Sequence, residues 1–145
     1  MGFEGDDFLN CVIQLESNQS ADFVLDAILS IETKLGRVRE EKSGFSSRPI
    51  DIDMLFYDDE IINTKNLIIP HPEIQHRKFV LAPLAVISQD FIHPKLNKTI
   101  SELLEETNDS DEVIKYSKWL RNPILDFDIS KFRYVAIEGN IGAGK

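Results

Sequence analysis

The segment Arg48-Pro49-Ile50-Asp51-Ile52-Asp53-Met54-Leu55-Phe56 holds the residues best suited to chemistry. On a strand, side chains two apart share a face, so Asp51 and Asp53 project together while Ile50, Ile52 and Met54 turn toward a core. Two adjacent carboxylates repel unless a cation lies between them. Their hard oxygens suit Mg²⁺, which takes one or two carboxylates together with substrate phosphates. Aspartate is disfavoured in strands, so an alternating pair asks for a reason. The plain alternative is a solvated strand face carrying two aspartates.

Cations flank this segment. Arg37, Arg39, Lys42 and Arg48 fall within twelve residues of a chain whose net charge is −9. Guanidinium groups stay charged and bind phosphate oxygens bidentately. The cluster is either an anion site or a solvated basic loop, and charge alone does not choose between them. Pro70-His71-Pro72 and His76-Arg77-Lys78-Phe79 add further cationic groups beyond a strand end. A histidine there is more often structural, and a phosphate contact is the sharper reading. At the end of the chain, Gly139-Asn140-Ile141-Gly142-Ala143-Gly144-Lys145 forms a Gly-x-x-x-x-Gly-Lys run. Its glycines would let backbone N–H groups cradle phosphates, with Lys145 reaching the outer ones.

These residues need elements to position them. Cys11, Val12, Ile13 and Leu15 suggest a buried strand over residues 10–16. Ser20 suits a helix N-cap, and Asp22 suits the positive end of the helix dipole. Val24, Ile28, Ile31 and Leu35 recur at helical spacing, and Gly36 then ends the helix. Residues 37–39 look strand-like, and the polar stretch 40–47 predicts a mobile loop. Residues 50–56 predict a strand, Asp58-Asp59 a turn, and residues 60–63 and 67–69 two more short strands closed by Pro70. Pro72 suits the first turn of a short helix. Residues 79–87 predict a helix that Pro83 makes irregular, and residues 99–106 an amphipathic helix through Ile100, Leu103 and Leu104. Residues 108–112 form a loop and residues 122–131 a linker, and residues 132–138 predict an apolar strand. The mixture points to an α+β fold with a mostly antiparallel sheet and helices packed on it.

Composition narrows the function. With 42% apolar and 28% charged residues, the chain resembles an ordinary soluble domain of 145 residues. The acidic balance argues against nucleic-acid binding, which needs a basic footprint. No apolar run is long enough for a membrane span, and the acidic N-terminus predicts no signal peptide. The single cysteine, Cys11, fits a reducing cytoplasm.

Four motifs together resemble the hydroxymethyldihydropterin pyrophosphokinases, over residues 2–118. They are Asp7-Phe8-Leu9-Asn10, Gly36-Arg37-Val38-Arg39, Arg48-x-Ile50-Asp51-Ile52-Asp53, and Pro70-His71 followed after five residues by Arg77-Lys78-Phe79. The resemblance implies a ferredoxin-like fold and Mg²⁺-dependent pyrophosphoryl transfer from ATP to 6-hydroxymethyl-7,8-dihydropterin, with AMP as the other product. It implies that Asp51 and Asp53 hold two Mg²⁺ ions. It implies catalytic roles for Arg37, Arg48, Asp51, Asp53 and Arg77. ATP contacts fall to Glu32, Arg39, Met54, Leu67, Ile68 and His71, and pterin contacts to Phe8, Asn10 and Phe79. Residues 40–47, with Phe45, match a loop that closes over the site.

The family begins with a strand, a helix and a second strand that this sequence does not contain, so an N-terminally truncated domain over residues 1–121 is expected. Residues 132–145 resemble the first strand and phosphate loop of a deoxynucleoside kinase, which makes a bifunctional parent chain the expected context. The competing reading is an inactive fragment that keeps at most nucleotide binding.

Overall fold

The computed structural model describes residues 9–37, 50–116 and 138–139. Helix α1 spans Ala21–Lys34. Its start follows from Ser20, whose Oγ accepts the Phe23 N–H at 3.3 Å, and Asp22 lies in the first turn. Its end follows from Gly36, which adopts φ +93°. A Cβ there would meet nothing within 4 Å, so the glycine answers to the backbone turn and not to packing. The turn closes with Gly36 N–H donating to Thr33 O at 3.1 Å and Arg37 N–H donating to Glu32 O at 3.0 Å.

The strands are short. Strand β1 is Ile52–Asp53, β2 is Ile62–Asn63, β3 is Ile68–Ile69 and β4 is Glu138–Gly139. The β2 and β3 strands pair antiparallel, with Ile62 opposite Ile69 and Asn63 opposite Ile68. In a second antiparallel pair, β1 sets Ile52 opposite Gly139 and Asp53 opposite Glu138. Of the expected strand over 50–56, the ladder among the described residues comprises Ile52–Asp53, and past it Leu55 O accepts the His71 N–H of a later turn. Asp58, at φ 48°, turns the chain where the Asp-Asp turn is expected, and Ile69–Pro70 is a cis peptide. The expected strand over residues 10–16 joins no ladder among the described residues, and residues 12–15 border a cleft.

After β3 the chain makes a 3-10 turn, Ile74–His76, and enters helix α2, Lys78–Ser88, with Pro83 inside it. Helix α3 is Ile100–Glu106. Thr99 and Glu102 form a reciprocal capping box at its start, with Thr99 Oγ1 accepting the Glu102 N–H at 3.2 Å and Glu102 Oε2 accepting the Thr99 N–H at 2.7 Å.

The main core joins β1 to the second half of the chain. Leu55, Ile74, Val80, Leu81, Leu84, Ile100 and Leu103 form it, with Ile74, Leu81 and Ile100 fully buried. Phe56 packs edge-on to Phe91 at 4.9 Å and to His93 at 5.4 Å. His93 is buried and its Nδ1 accepts the Lys95 and Leu96 N–H groups, which makes it a structural histidine of the 93–97 turn. A smaller cluster of Ala21, Leu67 and Ile69 ties the β2–β3 pair to the start of α1.

Between α1, β1 and α2 lies an apolar cleft of about 360 Å³, lined among others by Val12, Val24, Ile28, Met54, Leu84 and Phe91. The apolar stripe expected on α1 is therefore present, yet it faces this cleft. Ile31 and Leu35 are 39% and 54% exposed. Among the described residues no helix is long and apolar enough to cross a membrane. The architecture is α+β with antiparallel pairing, as the sequence predicts.

Candidate active site

The site is built around the start of β1. Asp51 and Asp53 both lie there, with side chains 33% and 34% exposed, open enough to meet a solute. Three other segments bring partners to them.

The first is the end of α1. Gly36 reverses the chain, and Arg37 Nη1 donates to Asp51 Oδ1 at 2.6 Å. The same nitrogen bonds Glu32 Oε1. Glu32 is 1% exposed, and its Oε1 also accepts the Ile52 N–H at 2.9 Å. One buried carboxylate on α1 therefore touches both the backbone of β1 and the arginine beside Asp51.

The second is the turn after β3. The His71 N–H donates to Leu55 O at 2.9 Å, which fastens this turn to the chain just past β1. His71 Nε2 then lies 3.9 Å from Asp53 Oδ2. His71 Nδ1 accepts the Glu73 N–H at 3.3 Å, which leaves the proton on Nε2, facing Asp53. Burial lowers the His71 pKa from its ordinary 6.5, against the pull of the Asp53 carboxylate and with the help of the Arg77 charge. The shift favours the neutral imidazole.

The third is the start of α2. Arg77 is its N-cap residue, and Arg77 Nη1 lies 3.6 Å from Asp53 Oδ2. The guanidinium carbon also lies 6.0 Å from the centre of the Phe79 ring, within reach of a cation–π contact. Arg77 provides no side-chain cap for α2. That task falls to Asp109, whose Oδ2 accepts the Lys78 N–H at 2.8 Å from 31 residues away. Asp109 Oδ1 also accepts the Asp111 N–H at 3.0 Å. These two bonds, Asp111 first, hold the Asp109 carboxyl below the ordinary aspartate value.

The structure thus gathers Glu32, Arg37, Asp51, Asp53, His71, Arg77 and Phe79 into one neighbourhood. Met54 packs against the cluster that contains Leu67, while Ile68 is 42% exposed. Asn10 is half-buried, and among the described residues no hydrogen bond joins it to the charged group. Phe8, Arg39, Arg48 and Phe45 lie outside the described residues, as does the loop 40–47. Two features are absent from the sequence reading. Asp109 falls in a stretch that shows only a polar loop, and its one signal is the Asp-x-Asp spacing typical of a local side-chain turn. The bond from Glu32 to the Ile52 amide has no local signal, since it links residues 20 apart.

Asp51 and Asp53 together offer the donor set that Mg²⁺ takes alongside phosphate oxygens. Among the described residues, no group of three or more His, Cys, Asp or Glu side chains forms a closed metal cage. An open pair of carboxylates flanked by two guanidiniums has the chemistry to hold a metal ion together with a polyanion.

The chain is similar to known proteins of one family. Residues 1–89 match the family model for 7,8-dihydro-6-hydroxymethylpterin-pyrophosphokinase (HPPK). A Synechocystis protein named 2-amino-4-hydroxy-6-hydroxymethyldihydropteridine pyrophosphokinase is 41% identical over 102 residues, which is 70% of this chain and 51% of that protein. A Haemophilus influenzae protein of the same name is 37% identical over 103 residues, 71% of this chain and 62% of that protein. A folic acid synthesis protein of Pneumocystis carinii is 35% identical over 126 residues, 87% of this chain and 17% of that protein. The chain spans about half the length of the Synechocystis relative. The match includes the Asp51–Asp53 strand, the arginine at the end of α1 and the His71–Phe79 segment, all of which meet at one end of β1, and on that ground the chain belongs to the 7,8-dihydro-6-hydroxymethylpterin-pyrophosphokinase family.

Proposed function

We propose that this chain carries the metal- and phosphate-facing part of a site that transfers a pyrophosphoryl group from ATP to 6-hydroxymethyl-7,8-dihydropterin, in folate biosynthesis. The observation that carries the reading is the convergence of Arg37, His71 and Arg77 on the Asp51–Asp53 pair. Family membership supplies the substrates.

In the reaction, the pterin hydroxyl oxygen attacks the β-phosphorus of ATP. The bond from that phosphorus to the α–β bridging oxygen breaks, AMP departs, and the hydroxyl proton leaves to water. Two Mg²⁺ ions, bound with the nucleotide, would neutralise charge on the transferring group, with Asp51 and Asp53 as the protein ligands. Arg37 and Arg77 reach the two ends of the carboxylate pair, so they are placed to hold phosphate oxygens when a triphosphate lies across it. His71, whose Nδ1 accepts the Glu73 N–H, offers its Nε2–H as a donor at the same edge. Arg48 and Arg39 are assigned to the same phosphates, Glu32 to the nucleotide side, and Met54, Leu67 and Ile68 to the adenine. Phe79, beside Arg77, provides a flat apolar surface for the pterin ring, with Phe8 and Asn10 as its companions.

We also read residues 132–145 as the opening strand and phosphate loop of a deoxynucleoside kinase unit, joined through the linker 122–131. Cys11, the one cysteine of the sequence, is exposed, and we read its solitary occurrence as in keeping with a reducing cytoplasm.

The test is AMP release from ATP with Mg²⁺, with and without the pterin, comparing the chain with its Asp53→Asn variant. Pterin-dependent AMP is expected, falling by roughly a hundred-fold or more in the variant. ATP binding with no AMP, in this chain and in any longer chain containing it, would replace the transfer reading with that of a nucleotide-binding module.

A further inference from the structure

We propose that Glu32 is a positioning residue: it holds the Arg37 guanidinium against Asp51 and so fixes where a polyphosphate meets the carboxylate pair. The inference rests on the pyrophosphoryl-transfer reading and deepens it.

Glu32 occupies a costly place. It is 1% exposed, and a buried carboxylate is unfavourable unless it is paired and hydrogen-bonded. It also lies near the C-terminal end of α1, where the helix dipole opposes a negative charge. The bond to the Ile52 N–H does not by itself require a charge, since a glutamine amide oxygen could accept it. The charge pairs with Arg37.

That bond is shared. Arg37 Nη1 serves Glu32 Oε1 and Asp51 Oδ1 at once. A polyphosphate arriving at Asp51 competes for this guanidinium. The bond to Glu32 keeps the guanidinium beside β1 while its other partner changes, and because Glu32 is also fastened to the Ile52 amide, the anchor belongs to the strand that carries both aspartates. With so little exposure, Glu32 has almost no face to offer a nucleotide directly. Its effect on the nucleotide runs through Arg37.

The experiment compares the full chain with its Glu32→Gln and Glu32→Asp variants. Glutamine keeps the size and the acceptor oxygen but not the charge; aspartate keeps the charge but is one methylene short. Nitrogen-15 NMR reads the Ile52 amide and the Arg37 Nε–H, and steady-state kinetics read KM and kcat for ATP. In Glu32→Gln the Ile52 amide shift stays near its original value. The Arg37 signal moves and exchanges faster with solvent, and KM for ATP rises roughly ten-fold with a smaller change in kcat, as expected for loss of one charge-assisted hydrogen bond. Glu32→Asp is expected to recover part of the Arg37 signal and part of the KM. A lower thermal midpoint with unchanged KM would assign Glu32 a structural role only and overturn the proposal. So would an Arg37 signal indifferent to both substitutions. If the unsubstituted chain makes no AMP, the transfer reading fails on that result, and the Arg37 signal still decides whether Glu32 holds it.

Discussion

Helices α1 and α2 are close in length and opposite in how they are held. Helix α2 buries Val80, Leu81 and Leu84 against Ile74, Ile100 and Leu103, so apolar packing fixes it. Helix α1 buries only Ala21 and Glu32, and its apolar stripe borders the cleft. What joins it to β1 is a polar latch, from Glu32 to the Ile52 amide and to Arg37. The packed half of the molecule supplies a rigid seat for Arg77 and Phe79. The latched half supplies Arg37. A site assembled across the two has one firm wall and one wall set by a few directed bonds, whose strength depends on charge.

Substitutions that remove apolar bulk from each half test this contrast most strongly. Leu81→Ala is expected to cost about 3 kcal/mol, because the residue is fully enclosed and its neighbours cannot collapse into the space. Ile28→Ala, on the cleft side of α1, is expected to cost under about 1 kcal/mol. Urea unfolding of both variants measures the difference. Equal losses would mean that α1 is as tightly packed in solution as α2, and the contrast would fall.

A smaller effect tests how the packed half is stitched at its ends. Thr99→Ala removes the capping oxygen of α3 and is expected to cost about 1 kcal/mol. Hydrogen exchange should show the loss concentrated in the first turn of α3, with α1 unaffected. Equal deprotection of α1 would show that the two halves unfold as one unit.

The smallest effect concerns acid. Asp109 titrates below the ordinary aspartate value of about 4, because its charged form accepts the Asp111 and Lys78 N–H groups. A carboxyl lowered in the folded state contributes stability above its unfolded pKa, and that contribution fades as pH falls through the folded value. Stability measured from pH 5 down to pH 2.5 should therefore fall less steeply in Asp109→Asn than in the parent chain. Parallel curves would show that the clamp on α2 gains nothing from its charge.

Much of this arrangement is legible in the sequence, and the reasons are local. Ser20 and Gly36 bracket α1 because caps act within one turn, and the Ile100–Leu103–Leu104 spacing fixes the buried side of α3. Asp51 and Asp53 stand out because their alternation needs no knowledge of the rest of the fold. Strand extents were harder to read. Residues 10–16 have a strand's composition yet join no ladder among the described residues, since a ladder depends on a neighbour that composition does not name. The latch and the clamp were not legible for the same reason. Glu32 meets Ile52 and Asp109 meets Lys78 only after the chain has folded back, across 20 and 31 residues.

The cleft beside β1 has a practical consequence for anyone handling the protein. Its walls are aliphatic and aromatic, and Phe23, Leu35 and Val86 add exposed apolar area at 56%, 54% and 75%. Environment-sensitive dyes fluoresce on such surfaces, as they do on partly unfolded chains. A dye-based melting scan of this chain should therefore begin bright at low temperature, and its curve would report dye leaving the cleft together with the loss of structure. Circular dichroism, which follows the helices themselves, is the signal by which its unfolding should be judged.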